Sequence, residues 1–580
     1  MPTRAGDRRR ARAVAAAGLH QASVAGRELS LDLRIWELAG ADPVTWSGGD
    51  GESDVESDLP LVLERATSES LRKANGLHVT PPWLADHLVA RAFAATADDG
   101  AVSSRWAVCD PACGGGAFLL AAARGLERRG FSRPVVVREL VWGADVDPVG
   151  LAAAELALAL WAGEAPPPGR LVVGDALGRG RGLWRDAPAD GFAAVVGNPP
   201  FLSQLGRATT RSAAAAERLR RRYGDAVRPY TDAAWLFLLL GCDLVRPGGA
   251  VTMVQPLSVV AARDAAAVRS ALTDRADLRE LWVEDRSRPA FAAAVQVCAP
   301  LLSSRSAVLP MAPPNGERVW ADRLADAVGA PRVVLDEAFS GRLGELADVA
   351  AGFRDEYYGL VPLVREASDG SDGSVAGEAP LVTTGAVDWG RSGWGERPVR
   401  YAKRSWKAPV VDLAGLAGLD PGVSSTRAVR RWIERTSGPK LLVANQTRVV
   451  ELAVDRAGAW VPSVPTLAVV PYDPGDLWLI AAAVGSPTAT AWLWRRAPGT
   501  ALSRDALKIA PRDLADLPLP SDRVAWEAAA AALDAYVACP ADDAFAAYVE
   551  AAAAAYGAPA DLVAWWRARL PLRIDSTPPA

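Results

Sequence analysis

The chain has little cysteine and little histidine. Its 580 residues include five cysteines (Cys109, Cys113, Cys242, Cys298, Cys539) and three histidines (His20, His78, His87). The cysteines are too few and too scattered for a disulfide framework. Together the two counts argue against a Cys/His zinc site, and no metal is expected. No apolar run reaches the roughly 18 residues that span a bilayer, so no membrane partner is expected. The opening "MPTRAGDRRRARAVAAAGLH" is basic and then Ala-rich. Its apolar part is short for a signal peptide; "AVAAAG" reads as the start of a helix and the protein as cytoplasmic. An excess of one charge is also missing. Lys+Arg 64 against Asp+Glu 68 gives a net charge of -4, which neither supports nor forbids a nucleic-acid partner, because a local basic groove matters more than the total. Half the residues are hydrophobic and 23% are charged: a globular protein with ample core. At roughly 100–200 residues per domain, the length suggests three or four units.

What is present is a regular alternation. Residues 47–58, "SGGDGESDVESD", read as a loop, and "LPLVLERATSESLRKANG" as a helix stopped by Gly76. "TPPWLADHLVARAFAA" predicts another helix, with Thr80 as its N-cap and Pro81 at the first helical position. Six short apolar runs follow, spaced by Ala/Leu-rich helical stretches: 106–110, 140–145, 170–175, 192–197, 250–256 and 278–285. Strands spaced by helices predict an α/β fold with a doubly wound, mostly parallel sheet. In such sheets ligands bind beyond the carboxyl ends of the strands, where Asp110, Asp145, Asp175 and Asn198 stand. The expected organisation is an N-terminal helical or flexible segment (1–59), the α/β domain (60–305), a linker (306–345), an α+β region rich in Trp, Tyr and Arg (346–521) and a helical tail (522–580). Residues 477–497 read as one helix.

The distinctive residues lie at the strand ends. In "VCDPACGGGAFLLAAA" a strand meets Asp110, then a Gly-rich turn, then a helix. Such a turn lets backbone approach a ligand closely. No Gly-Lys-Ser/Thr follows, so it is not a Walker loop. Gly114 and Gly116 fit a G-x-G, but Leu119 stands where the dinucleotide fingerprint has its third glycine. Asp145, ending the second strand, can accept both hydroxyls of a ribose. The alternative role, an acidic helix N-cap, suits Asp147 before Pro148 better. Asp175, ending the third, can bond an adenine amino group. Glycine turn, ribose acid and adenine acid in this order suit an adenosyl ligand without pyrophosphate, namely S-adenosylmethionine. The fourth strand runs into "AVVGNPPFLSQ", where two prolines remove two donors and force an extended path.

The series "GLHVTPPWLADHLV", "DPACGGGAFL", "GADVDP", "GDAL", "GNPPF", "LVRPGGAVTMVQPLS" resembles the gamma class of N6-adenine DNA methyltransferases over roughly residues 60–300. The resemblance implies a Rossmann-like methyltransferase domain. It implies S-adenosylmethionine bound by Thr80, Asp110, Ala112, Gly114, Gly116, Asp145 and Asp175, and Asn198, Pro199, Pro200 and Phe201 as the catalytic tetrapeptide. Phe201 would stack on a flipped-out adenine, with Phe291 as a second ring. The sequence departs from the pattern in three places: His78 and Val79 replace the usual aromatics before Thr-Pro, "FAAAV" after Phe291 lacks the usual proline, and Gly115 replaces a common serine. More loosely, 346–521 resembles a target-recognition domain for double-stranded DNA, through "GFRDEYYG", "PKLLVANQTR" and "LKIAPRDLADLPLP". Candidate DNA contacts are Tyr357, Tyr358, Arg404, Lys407 and Arg448, together with the Arg-rich "RLRRRYG" at 218–224.

Two other readings stand beside a DNA methylase. Methylases of protein glutamine also use Asn-Pro-Pro-aromatic, but they are typically smaller and lack a large C-terminal region. A non-catalytic DNA-specificity protein would not need an intact Asp110, Asp145 and Asn198. The first 75 or so residues show no clear paired Asp…Glu-x-Lys, so no fused nuclease is expected. A separate restriction or phage-defence partner stays open.

Overall fold

The computed structural model describes residues 4–24, 33–40, 59–67, 80–97, 103–201, 212–285, 289–291, 295–305, 316–333, 335, 341–367, 375–496 and 506–570. The chain divides into two compact units, Met1–Arg323 and Leu324–Ala580. The boundary lies inside residues 306–345, expected as a linker, but that stretch contains a helix, Gly316–Ala327, with Trp320 buried.

The first unit is built on an eight-stranded sheet. Its strands are β1 (Val108–Asp110), β2 (Val141–Asp145), β3 (Leu171–Val173), β4 (Phe192–Gly197), β5 (Val245–Met253), β6 (Gln255–Pro256), β7 (Ala276–Val283) and β8 (Val297–Ser304). The order is β3-β2-β1-β4-β5-β8-β6, with β7 paired to β8. The pairs from β3 to β5 are parallel, and β8 runs antiparallel to its neighbours. The doubly wound α/β expectation therefore holds. The eighth strand was not anticipated: six of its eight residues are buried, so its sequence lacks the alternation that marks a half-exposed strand. The strand order reverses between β1 and β4. That switch point is where such sheets open a crevice.

Helices cover both faces: α1 (Arg4–Val24), α2 (Pro82–Ala95), α3 (Ala117–Arg128), α4 (Pro148–Ala162), α5 (Ala213–Tyr223) and α6 (Ala233–Leu244), with two short helices, Arg34–Ala39 and Leu59–Ala66. The sequence of α4, "PVGLAAAELALALWA", has almost no polar side, and a helix apolar all round must be buried all round. One side meets the sheet. The other is covered by α1 and the two short helices, in a cluster that includes Val14, Ile35, Trp36, Leu63, Val149 and Leu156. Asp147 caps α4, accepting Val149 N–H at 3.2 Å, as the Asp-Pro pair predicts. The cap expected at Thr80 is not formed. Helix α2 begins at Pro82 with Pro81 as its N-cap and no side-chain cap bond. Pro82, lacking an N–H, suits the first helical position, and Thr80, one residue further back, is directed elsewhere.

The second unit contains β9 (Ala347–Ala351), β10 (Val364–Glu366), β11 (Glu378–Val382), β12 (Val399–Tyr401), β13 (Arg404–Trp406), β14 (Pro409–Asp412), β15 (Lys440–Val443), β16 (Gln446–Thr447), β17 (Leu452–Asp455), β18 (Val461–Pro462), β19 (Leu467–Pro471) and β20 (Leu507–Lys508). They form two four-stranded sheets, β10-β14-β11-β18 and β17-β15-β19-β9, and two two-stranded ribbons, β12-β13 and β16-β20. Lys440 is fully buried on β15 and pairs with Asp455 of β17 at 2.6 Å. Asp455 also accepts the N–H groups of Ala459 and Trp460, so this charge pair fixes a turn as well as two strands. The single helix expected over 477–497 is two helices, α7 (Leu477–Val484) and α8 (Pro487–Trp494), bent by 64°. Pro487 cannot continue the first helix, and Ser486 caps the second by accepting Ala489 N–H at 3.0 Å. The tail is helical as expected: α9 (Arg523–Ala538), α10 (Asp542–Ala555) and α11 (Ala560–Arg567). No single described helix is long and apolar enough to cross a membrane.

Candidate active site at the strand ends

β1 ends in Asp110, which is 1% exposed. Its Oδ1 accepts Ala112 N–H at 3.0 Å. Burial pushes its carboxyl up to about 8 against the pull of that N–H, and the nearby charge of Asp145 adds to the rise. The turn after it contains two glycines with different duties. Gly116 has φ +89, and a Cβ there would stand 2.9 Å from the Ala154 backbone; it lets α3 pack against α4. Gly114 has φ +49, and a Cβ there would meet nothing within 4 Å. Open space lies over that residue.

β2 ends in Asp145. Its Oδ2 accepts Gly114 N–H and its Oδ1 accepts Asp147 N–H, each at 2.8 Å. Burial pushes this carboxyl up to about 6, with those N–H groups opposing. Val146, the next residue, is apolar yet 69% exposed. β3 is tied in through Gly174 N–H, which donates to the Asp145 carbonyl at 2.8 Å. Asp175 is exposed and caps the short helix Ala176–Arg179, accepting Gly178 N–H at 2.9 Å through Oδ1.

β4 lies beside β1, with Val108 opposite Ala194. At its end a Cβ on Gly197 would stand 2.6 Å from Asp110 Oδ1. Only glycine allows the two strand ends to approach this closely, so Asp110 sits directly beside the Asn198 loop. Asn198 Nδ2 donates to Thr80 Oγ1 at 3.1 Å, and Thr80 is buried. Pro199 is buried, while Pro200 and Phe201 are half-buried. Phe201 packs against a core cluster that contains Val254, Phe291 and Val297. Phe291 itself is a buried member of that cluster, 9% exposed. Leu202–Gln204 and His78 lie outside the described residues.

The structure thus gathers Thr80, Asp110, Ala112, Gly114, Asp145 and Asn198 at one switch point, with Asp175 at the neighbouring strand end. Reasoning from the sequence missed Gly197, Val146 and Arg10. Arg10 of α1 donates to both oxygens of Asp147, at 2.6 and 3.0 Å, and so reaches the Asp145 loop. The candidate DNA contacts of the second unit differ in exposure. Tyr357 packs on Tyr401 and Tyr358 with ring centroids 5.4 and 5.3 Å apart. Tyr358, Arg404, Lys407 and Arg448 are exposed. On α5, Arg222 pairs with Asp243, while Arg218 and Arg221 are exposed.

A buried acid pair, a glycine turn and an Asn-Pro-Pro loop meet at the switch point of this doubly wound sheet. Residues 61–280 match the family model described as N-6 DNA Methylase. Among solved structures, the chain is similar to the type IIL restriction-modification enzyme MmeI in complex with DNA, at 12% identity and a TM-score of 0.51, covering 92% of this chain and 83% of that one. At that identity the likeness concerns the fold. The type IIG restriction endonuclease BpuSI aligns at 12% identity and a TM-score of 0.39, over 99% of this chain and 78% of that one, too weak a similarity to argue from. No curated protein matches the chain.

Proposed function

We propose that the protein is a site-specific DNA methyltransferase of the gamma class, transferring a methyl group from S-adenosylmethionine to N6 of an adenine flipped out of double-stranded DNA. The observation that carries this reading is the Asn198-Pro199-Pro200-Phe201 loop, which leaves β4 beside the buried carboxyl of Asp110 at the switch point.

The residues present fit the cofactor. The space over Gly114 admits a ligand against the backbone. Val146 offers an apolar face beside the ribose acid Asp145. Asp110, held protonated by burial, becomes a good partner for a cationic ligand, which would restore its charge. Ala112, Gly116 and Asp175 complete the set. When bound, the cofactor supplies an electrophilic methyl group on a sulfonium.

The chain's own residues address the nucleophile. The exocyclic amine of adenine is weakly nucleophilic because its lone pair is delocalised into the ring. Asn198 Oδ1 and the Pro199 carbonyl each accept one hydrogen bond from the amine's N–H groups. This draws the nitrogen toward tetrahedral geometry and localises the lone pair for in-line attack. No ionised base is required for the attack; positioning and fixed dipoles lower the barrier, and the methylated nitrogen, cationic after transfer, gives up one proton to solvent. The two prolines hold those acceptors with little entropy left to lose. Phe201 stacks on the extruded base.

The test is single-molecule sequencing of DNA from a methylation-free host expressing the chain. N6-methyladenine is expected at one short motif. Its absence, in a protein that binds S-adenosylmethionine, sinks the DNA reading. Asn198→Ala should lower kcat by about 10²-fold or more, the scale seen when one preorganised hydrogen-bonding group is removed, while cofactor affinity measured by calorimetry stays unchanged. Loss of both would make Asn198 a structural residue.

A further inference from the structure

We propose that Thr80 is a positioning residue for Asn198; this rests on the adenine-methylation reading above. Thr80 does not cap α2. Thr80 is 3% exposed, and its hydroxyl accepts the Asn198 amide N–H at 3.1 Å across 118 residues of sequence. A primary amide has a donor end and an acceptor end related by half a turn. Only one orientation presents oxygen to an incoming amine; the reverse sets N–H against N–H. In the structure the nitrogen faces Thr80 and the oxygen faces away from it. The bond pins the amide plane in the productive sense. Thr80→Val removes the hydroxyl and keeps the shape, and Thr80→Ser keeps the hydroxyl. In steady-state methylation of a duplex carrying the mapped site, the valine variant should lose roughly tenfold in kcat, the scale of one neutral hydrogen bond. KM and Kd for S-adenosylmethionine should hold, and the serine variant should recover most of the rate. Weaker cofactor binding with kcat intact overturns the proposal in favour of a cofactor contact, and so does an unchanged kcat. A wild type inactive on every DNA sinks the methylation reading instead. The Thr80 bond is then judged by exchange of the Asn198 side-chain amide protons, assigned by their loss in Asn198→Ala. Slow exchange in the wild type and fast exchange in Thr80→Val support it; fast exchange in both overturns it.

A different observation, in the second unit, carries an inference of its own. β12 and β13 form a hairpin with Arg400 opposite Ser405 and Tyr401 opposite Arg404. Its two turn residues, Ala402 and Lys403, have φ of 50 and 64°. Such turns ordinarily use Asn or Gly, because a Cβ in the left-handed region is strained. Arg400, Lys403, Arg404 and Lys407 are exposed along it, and among the described residues none of the four forms an ion pair. The adjacent Glu366 directs its carboxylate to the backbone N–H of Lys407 at 3.2 Å. Buried Val399 and Tyr401, with Trp406 Nε1 donating to the Tyr401 carbonyl at 3.0 Å, anchor the ribbon. The net charge of -4 gives the whole chain no general attraction for a polyanion, and this strip is a local exception. We infer that the hairpin grips the phosphates of double-stranded DNA, a reading that rests on the DNA substrate proposed above. Binding of a fluorescent duplex by the full chain is followed against salt. The triple variant Arg400→Ala, Arg404→Ala, Lys407→Ala should bind more weakly and lose about 0.9 of log–log salt slope per contact removed. Cofactor affinity should not change. An unchanged slope overturns the inference, as does a loss confined to single-stranded RNA. A wild type that binds duplex without methylating it, and loses slope in the variant, sinks the enzyme reading and spares the hairpin. Ala402→Gly keeps every cation and relaxes the turn; it should raise Tm with the salt slope unchanged.

Discussion

Asp110 holds its proton for a physical reason that can be measured. A carboxyl 1% exposed, with one N–H for company, titrates near 8 instead of near 3.8. Its folded pKa lies above its unfolded one. The ligand-free protein therefore loses stability as pH rises from about 4 to about 8, where the unfolded chain is ionised and the folded one is not; Asp145, raised to about 6, acts in the same direction over the lower part of that window. A cationic ligand beside Asp110 favours the ionised form, so binding at pH 7 must release a proton. The proposed cofactor should bind more tightly as pH rises toward 8 and level off above it. Calorimetry at pH 7 in buffers of different ionisation enthalpy should register that release, and Asp110→Asn should abolish it. Release unchanged in the asparagine variant would place the proton elsewhere. Asp110, Asp145 and Asn198 were legible in the sequence because each ends an apolar run, a local pattern. The partner of Thr80 was not, since 118 residues separate it from Asn198 and spacing says nothing about contacts closed by the sheet. The same holds for Arg10, 137 residues from Asp147.

At the level of elements, the strand-turn-helix after β1 divides its glycines between ligand and packing. Gly114→Ala adds a methyl group into open space at φ +49. The left-handed backbone costs it about 1–2 kcal/mol, and the methyl group stands where the cofactor would lie. Gly116→Ala adds the same strain and drives a Cβ to 2.9 Å from the backbone of α4, which cannot yield as a side chain can. Urea unfolding should find Gly116→Ala clearly the less stable, and calorimetry should find Gly114→Ala the weaker binder relative to its stability. Equal stabilities would mean α4 moves aside freely. Helix α1 has an equally specific place. Its Arg10, side chain 3% exposed, pairs with Asp147, side chain 10% exposed, at 2.6 Å, and Asp147 N–H holds Asp145. Breaking one partner of a buried pair costs roughly 3–5 kcal/mol. Arg10→Ala should lower stability by about that amount and weaken cofactor binding several-fold, because the Asp145 loop loses its brace. A stable variant with unchanged cofactor Kd would reduce α1 to a cover for the apolar side of α4. β1 and β4 were legible as apolar runs spaced by helical stretches although both are buried. β8 and the break at Gly485-Ser486-Pro487 inside an unbroken apolar pattern were not.

Across the whole molecule, every residue assigned to the methyl-transfer step lies in Met1–Arg323, and the cationic hairpin lies in Leu324–Ala580. That separation has a kinetic consequence. On the proposed reading, phosphate contacts made by the hairpin take no part in the bond changes at the adenine amine, so they stabilise bound DNA equally before and during transfer. Uniform binding of this kind raises KM when it is lost and leaves kcat alone. The hairpin triple variant should therefore show a higher KM for DNA and regain the wild-type rate at saturating duplex. Asn198→Ala should show the reverse, with kcat lost and the DNA Kd held. Initial rates over a range of duplex concentrations, at saturating cofactor, read both. A hairpin variant whose kcat stays low at saturating DNA would mean that binding energy gained in the second unit is used to extrude the base. In that case the loss should shrink on a duplex whose target adenine is mismatched, because an unpaired base needs less energy to leave the stack. A loss of equal size on matched and mismatched duplex would leave neither account standing and would make the hairpin part of the chemical step itself.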